Sequence, residues 1–279
     1  MTRTFFILIF FCLTFFNCKS QQAIEQFISD DLGITVEKFD TINLNDNRYN
    51  ENNKIYKVGK RFTFTYYYED KLGDKYLVTK SALNDKNTYD WVFENINKKN
   101  KNSIYQIILS VNSGLSPFIQ NIPDYNQTVI TYNFKLINGE FWNNEMTGVV
   151  ENKMNLWMHP PRTDFFKILE LNPFPYIKSP YKIGNKWTWK LEFGDHWADK
   201  KWLLWKGKNE NKYIYKITDY KTILTKIGNL KCYVIISNAN SNLGQTKLIS
   251  YFNEDFGFVK LDYINIDGTK TFLELESVE

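Results

Sequence analysis

Two hydrophobic patterns alternate along this chain, one continuous and one of period two. Residues 5–16 (FFILIFFCLTFF) form an apolar run with one polar member, Thr14. After residue 33 the period is mostly two. Phe62, Phe64, Tyr66 and Tyr68 alternate with Thr63, Thr65, Tyr67 and Glu69. Trp187, Trp189, Leu191 and Phe193 alternate with Thr188, Lys190 and Glu192. One apolar and one more polar face is the mark of a half-buried strand. Further strand-like runs are KYLVTK, SIYQIILSV, KYIYKIT and TKLISYF. Three dipeptides read as hairpin turns: Asn138-Gly139, Gly228-Asn229 and Asp267-Gly268. Such residues accept the positive φ that matches the twist of paired strands. Strands joined by short turns, without long helical segments, predict a mainly β, antiparallel fold: curved sheets, a sandwich or a half-barrel. One short helix is predicted near the N-terminus, because Ile24, Phe27, Ile28 and Leu32 fall at helical spacing before Gly33.

An internal echo accompanies this pattern. KVGKRFTF at 57–64 matches KIGNKWTW at 182–189, at a constant offset of 125 residues. Two readings stand: duplication into two similar β halves, or convergence of two amphipathic strands that each follow a Gly turn. Pro173, Pro175 and Pro180 cannot donate to a ladder. A break in regular pairing, packed by Phe174 and Tyr176, is therefore expected at 172–182. The divisions that follow are 1–17 as signal peptide, 18–33 as tether and short helix, 34–172 as N-terminal β region and 173–279 as C-terminal β region.

The apolar run is too short for a membrane span, which takes about 20 residues. With Arg3 before it, it has the form of a signal-peptide core. It ends in FFNCKS, and this stretch resembles the lipobox of bacterial lipoproteins. Asn17 and Phe16 replace the preferred small residues, a relaxation that resembles Bacteroidota lipoproteins. The resemblance implies lipidation at Cys18, cleavage just before it, and a partner in membrane lipid. Its implied address is the cell envelope, lipid-anchored and at the outer membrane, on the periplasmic or the surface face. An ordinary signal peptide with Cys18 as bystander is a second reading, and an uncleaved anchor a third. Cys12 leaves with the signal, and Cys232 reads as a small buried strand residue. The stretch from about residue 183 to the end, with YFNEDFGFVKLDY, is similar to periplasmic proteins built on long curved antiparallel sheets, which implies fold alone.

Composition then narrows the function. Lys and Arg number 35 against 31 Asp and Glu, a mild positive excess with both signs interspersed. The nearest basic cluster, KKNK at 98–101, reads as a loop tip, so no nucleic-acid partner is expected. With two histidines, a His₃ or Cys₂His₂ metal site is unavailable within one chain. No G-x-S-x-G elbow, phosphate-cradling Gly loop or zincin helix is present, and no cofactor is expected. His159, Arg162 and Asp164 in MHPPRTD could form a base, an anion site and an orienting carboxylate, or simply a structural ion pair. His196 with Asp195 and Asp199 reads as a loop histidine beside turn-forming carboxylates. Glu274 and Glu276 share one strand face with Phe272. Five tryptophans fall between 187 and 205; Trp187 and Trp189 read as core, while Trp197, Trp202 and Trp205 are candidate ligand residues with His159 and Arg162. The leading expectation is a noncatalytic envelope protein that binds an apolar ligand, a glycan or a protein partner, or acts as a scaffold. The alternative is an envelope hydrolase using His159 or His196 with a neighbouring Asp.

Overall fold

A computed structural model describes residues 27–29, 34–37, 53–83, 89–113 and 127–279. The signal segment and Cys18 lie outside the described residues. The strands in chain order are β1 (Phe27–Ser29), β2 (Thr35–Glu37), β3 (Arg61–Glu69), β4 (Lys75–Leu83), β5 (Tyr89–Asn95), β6 (Ile104–Val111), β7 (Thr128–Leu136) and β8 (Phe141–Glu151). They continue as β9 (Asn155–Met158), β10 (Tyr176–Lys178), β11 (Lys186–Phe193), β12 (Asn209–Thr225), β13 (Gly228–Ser241), β14 (Gly244–Asn253), β15 (Gly257–Ile264) and β16 (Lys270–Val278). Short 3-10 helices occur at Ile96–Lys98, Asp164–Leu171 and Asp195–Trp197.

The fold is mainly β and antiparallel. Fourteen strands make one sheet, in the order β10-β9-β8-β7-β6-β3-β16-β15-β14-β13-β12-β11, with β4 branching from β3 and β5 pairing with β4. Two meanders of sequential neighbours, β6 to β10 and β11 to β16, are thus joined through β3. Within the stretch where a short helix is expected, residues 27–29 are instead strand β1, which pairs with β2 as a small antiparallel ribbon, Ile28 opposite Val36. The rest of that stretch lies outside the described residues. The turns at Asn138-Gly139 and Asp267-Gly268 sit where the pattern puts them, between β7 and β8 and between β15 and β16. The third turn is displaced. Thr225 pairs with Gly228, so Lys226-Ile227 make the turn and Gly228 opens β13.

Alternation carries the core. Phe62, Phe64, Tyr66 and Tyr68 of β3 point inward and are buried, as are Tyr213, Tyr215 and Ile217 of β12 and Leu273 and Leu275 of β16. Cys232 on β13 is free and wholly buried. The sheet curls until its two end regions face each other through rings. Trp157 lies 5.6 Å from Trp189, and Tyr176 lies 5.5 Å from Trp187.

The hollow of the curled sheet is filled by the chain itself. After β9 the segment 159–175 runs into the interior as a plug, with the Asp164–Leu171 helix at its centre. Phe166 meets Tyr66 at 5.0 Å and Phe134 at 5.3 Å. Phe165 meets Tyr68 at 5.2 Å and Phe93 at 5.0 Å. Phe174 meets Trp189 at 5.2 Å and Trp157 at 5.6 Å. A buried plug needs partners for its backbone carbonyls. Asn211 donates to the Leu171 carbonyl at 3.1 Å and Thr246 to the same oxygen at 2.9 Å. The Tyr215 hydroxyl donates to the Phe174 carbonyl at 3.2 Å. Inward polar residues on β12 and β14 thus exist to receive the plug.

Candidate functional site

The MHPPRTD stretch forms the entry of the plug, and a polar cluster gathers there. Pro160 and Pro161 carry the chain off β9, and β8 runs alongside. Glu145 of β8 accepts the Arg162 backbone N–H at 2.9 and 3.0 Å through its two oxygens, and the Thr163 hydroxyl at 2.5 Å. Asn143, two residues earlier on the same strand face, donates to Asp164 Oδ2 at 2.5 Å. Asp164 is held at φ 54°, a left-handed conformation that non-glycine residues adopt at a cost. The Tyr132 hydroxyl donates to the His159 carbonyl at 2.7 Å.

Below this layer lies Glu170, which is buried and accepts from Arg162 Nη1 at 3.4 Å. Burial pushes the carboxyl groups of Glu145 and Glu170 up to about 7, while Arg162 pulls both back. Burial, with Arg162 adding to it, pushes His159 well below the ordinary histidine range, so its ring is neutral at pH 7. His159 Nδ1 is 4.0 Å from Glu170 Oε1, too far for a hydrogen bond, and with a neutral ring this is no ion pair. The ring packs against Trp157 at 4.6 Å and Phe174 at 5.1 Å.

The arrangement brings His159 and Arg162 to one carboxylate, Glu170, and leaves Asp164 bonded to Asn143. A base oriented by Asp164 is therefore not assembled. Glu145 and Glu170 were not singled out in the sequence; each is an ordinary charged residue in its local window, and burial alone makes it unusual. Trp197 faces Arg162, with the guanidinium carbon 6.0 Å from its ring centre. Trp202 donates its indole N–H to the Trp197 carbonyl at 3.1 Å. Trp205 packs on Phe193 at 5.8 Å. Asp195 accepts from the Gly207 N–H at 2.9 Å and so closes the 195–207 loop, and Asp199 accepts from the Lys201 N–H at 2.8 Å within a turn. Among the described residues no group of three or more His, Cys, Asp or Glu side chains could hold a metal ion.

A cavity of about 390 Å³ opens elsewhere, on the outer face of the sheet. Its origin is the fork in β3. Arg61 to Phe64 pair with β6, whereas Tyr68 and Glu69 pair with β4. Between these points β3 has no strand neighbour on that side, and the two departing strands leave a gap. Outward residues of β3 and β16 floor the gap: Tyr67 and Phe272, directly opposite in the ladder, stack with ring centres 4.6 Å apart. Tyr105 closes one wall. Glu274 and Glu276, noted in the sequence as sharing a face with Phe272, line the same cavity. Glu276 accepts from Gln106 Nε2 at 2.6 Å and pairs with Lys226 at 3.6 Å. Glu274 accepts the Lys226 backbone N–H at 3.0 Å.

Fold and geometry together define a curled antiparallel sheet with an internal plug, a polar cluster at the plug entry and a cavity outside. No protein-family model and no curated protein matches the chain. Among solved structures it is similar to an exported protein with a YmcC-like fold from Bacteroides fragilis, at 13% identity and a TM-score of 0.43, covering 80% of this chain and 96% of that one. It is also similar to a protein named as a lipoprotein from Parabacteroides distasonis, at 11% identity and a TM-score of 0.41, covering 81% and 97%. The hypothetical lipoprotein YmcC from Escherichia coli gives 6% identity and a TM-score of 0.33, covering 78% and 84%.

Proposed function

We propose that this chain is an envelope lipoprotein, held to a membrane through acylated Cys18, whose body is a noncatalytic binding or scaffolding module. The plug carries the second half of this reading. It fills the concave interior with Phe165, Phe166 and Phe174, so among the described residues the curl of the sheet is occupied by the chain itself, which supports a ligand being met on the outside. The first half rests on the FFNCKS stretch and its resemblance to a lipobox. Each buried methylene of an acyl chain contributes about 0.8 kcal/mol, so two or three chains on one cysteine hold a protein at a membrane where one would not. Among the described residues no helix is long and apolar enough to cross a membrane.

Metabolic labelling with palmitate tests the anchor. The wild-type protein should take label and Cys18→Ala should not. An unlabelled wild type, or a labelled Cys18→Ala variant, would remove Cys18 from the reading.

A further inference from the structure

We propose that the cavity at the β3 fork is a saccharide-binding site. The proposal rests on the reading of the body as a binding module and names its ligand class. The volume of about 390 Å³ lies in the range of small-molecule sites, roughly 300–1,000 Å³. Lining chemistry chooses among ligands. Lys99, Lys226 and Lys260 reach the cavity, and Glu274 and Glu276 line it with them. Asp262 adjoins, 3.9 Å from Lys260, so three positive charges meet three negative ones.

That balance argues against other occupants. A phosphate would meet two carboxylates as it met the lysines. A fatty chain would strip water from charged groups without replacing their bonds, at a cost of several kcal/mol per ion. An added peptide strand needs a long open edge, and the fork leaves unpaired only the three residues from 65 to 67. A neutral polyhydroxyl ligand suits the site. Its hydroxyls donate to the carboxylates and accept from the ammonium groups, and its C–H faces pack on Phe272 and Tyr105, whose ring faces carry partial negative charge. Tyr67 backs Phe272 and does not itself offer a face, since Phe272 covers one side of its ring and Lys75, 4.5 Å from the ring centre, the other.

The site is also held ready. Gln106 and Lys226 fix Glu276, and the Lys226 backbone fixes Glu274. Floor residues stand on β3 and β16, two adjacent strands in the middle of the sheet. Side chains locked by neighbours on rigid strands lose little freedom when a ligand arrives.

Calorimetric titration of the detergent-solubilised full-length protein tests this. The probes are maltotetraose, cellotetraose, chitotetraose and xylotetraose, with palmitate and inorganic phosphate as comparators. At least one saccharide should bind. Phe272→Ala and Glu276→Gln should each weaken it at least about tenfold, which is about 1.4 kcal/mol. Lys190→Ala, on the far outer face of β11, should leave affinity unchanged. Both site positions are only partly buried, so the variants should keep the wild-type circular dichroism. Saccharide binding that both variants leave intact would overturn the site. Binding of palmitate or phosphate alone, lost in the same variants, would overturn the ligand class while supporting a binding module. Silence of every probe would overturn the saccharide proposal and favour scaffolding, with the Cys18 anchor still tested by its own label.

Discussion

The segments 57–64 and 182–189 build the same local structure in different surroundings. Both open with a turn whose third residue is glycine at positive φ, 88° at Gly59 and 94° at Gly184. In both, the fourth residue donates back to the first, Lys60 to Lys57 at 3.0 Å and Asn185 to Lys182 at 3.1 Å. In both, the glycine N–H donates to a strand carbonyl, Val111 at 2.9 Å and Ile217 at 2.8 Å. Those same two residues then donate to the carbonyls of Lys60 and Asn185, each at 3.0 Å. Eight residues therefore suffice to specify a turn, a strand start and its register on a neighbour. They do not specify burial. β3 lies between β6 and β16, and even its outward Thr63 is buried. β11 ends the sheet, with Thr188 exposed and Trp187 only partly covered. Local sequence sets conformation, and position in the sheet sets what that conformation is worth.

The sharpest way to break this comparison is to truncate matched inward residues. Phe62→Ala should cost about 3–5 kcal/mol, the usual loss for a wholly buried ring. Trp187→Ala, at the matching position of β11, should cost clearly less despite the larger side chain. Urea unfolding of both variants reads the difference, and equal losses would mean that sheet position does not matter here.

A second test acts on the plug, which packs on both copies, Phe166 on Tyr66 and Phe174 on Trp189. The carboxyl of Glu170 is raised from 4.5 to about 7 in the folded state, so the folded chain holds a proton that the unfolded chain has released. Stability contributed by that proton is full below pH 4.5, falls as pH rises to about 7, and is level above. Glu170→Gln should flatten this decline by on the order of 2 kcal/mol, read as unfolding free energy at about pH 5 against about pH 8. An unchanged slope would place the titrating group elsewhere.

The smallest effect sharpens the likeness between the copies. Gly59→Ala and Gly184→Ala put a side chain at positive φ where no atom lies within 4 Å of the new carbon. The cost is then conformational alone, about 1–2 kcal/mol, and the same for both. Unequal thermal midpoint shifts would show that the two turns are not equivalent.

Much of the sheet was legible from alternation, since Phe62 to Tyr68 and Trp187 to Phe193 announce their own faces. Two things were not. The DFFKILEL run places Phe165, Ile168 and Leu169 at helical spacing, but nothing in its eight residues says that the helix at Asp164–Leu171 enters the curl of the sheet as a plug. The fork is purely tertiary: nothing in RFTFTYYYE says that β6 leaves after Phe64 and β4 joins at Tyr68. Glu274 and Glu276 could be placed on one face from sequence, but the hollow beside them depends on those distant strands. Glu145 and Glu170 likewise owe their raised carboxyls to a plug folded against β8, β12 and β14.

The pairing of β3 with β16 also imposes an order of assembly. Phe62, early in the sheet, is registered opposite Val278 in its last strand. Each meander can zip from its own hairpins, because its contacts are local. The junction between them cannot, since its two partners are some two hundred residues apart in sequence. Until β16 docks, β3 carries a bare edge of the kind that recruits strands from other chains. A fold of this design thus hangs its two locally assembled wings on one long-range seam.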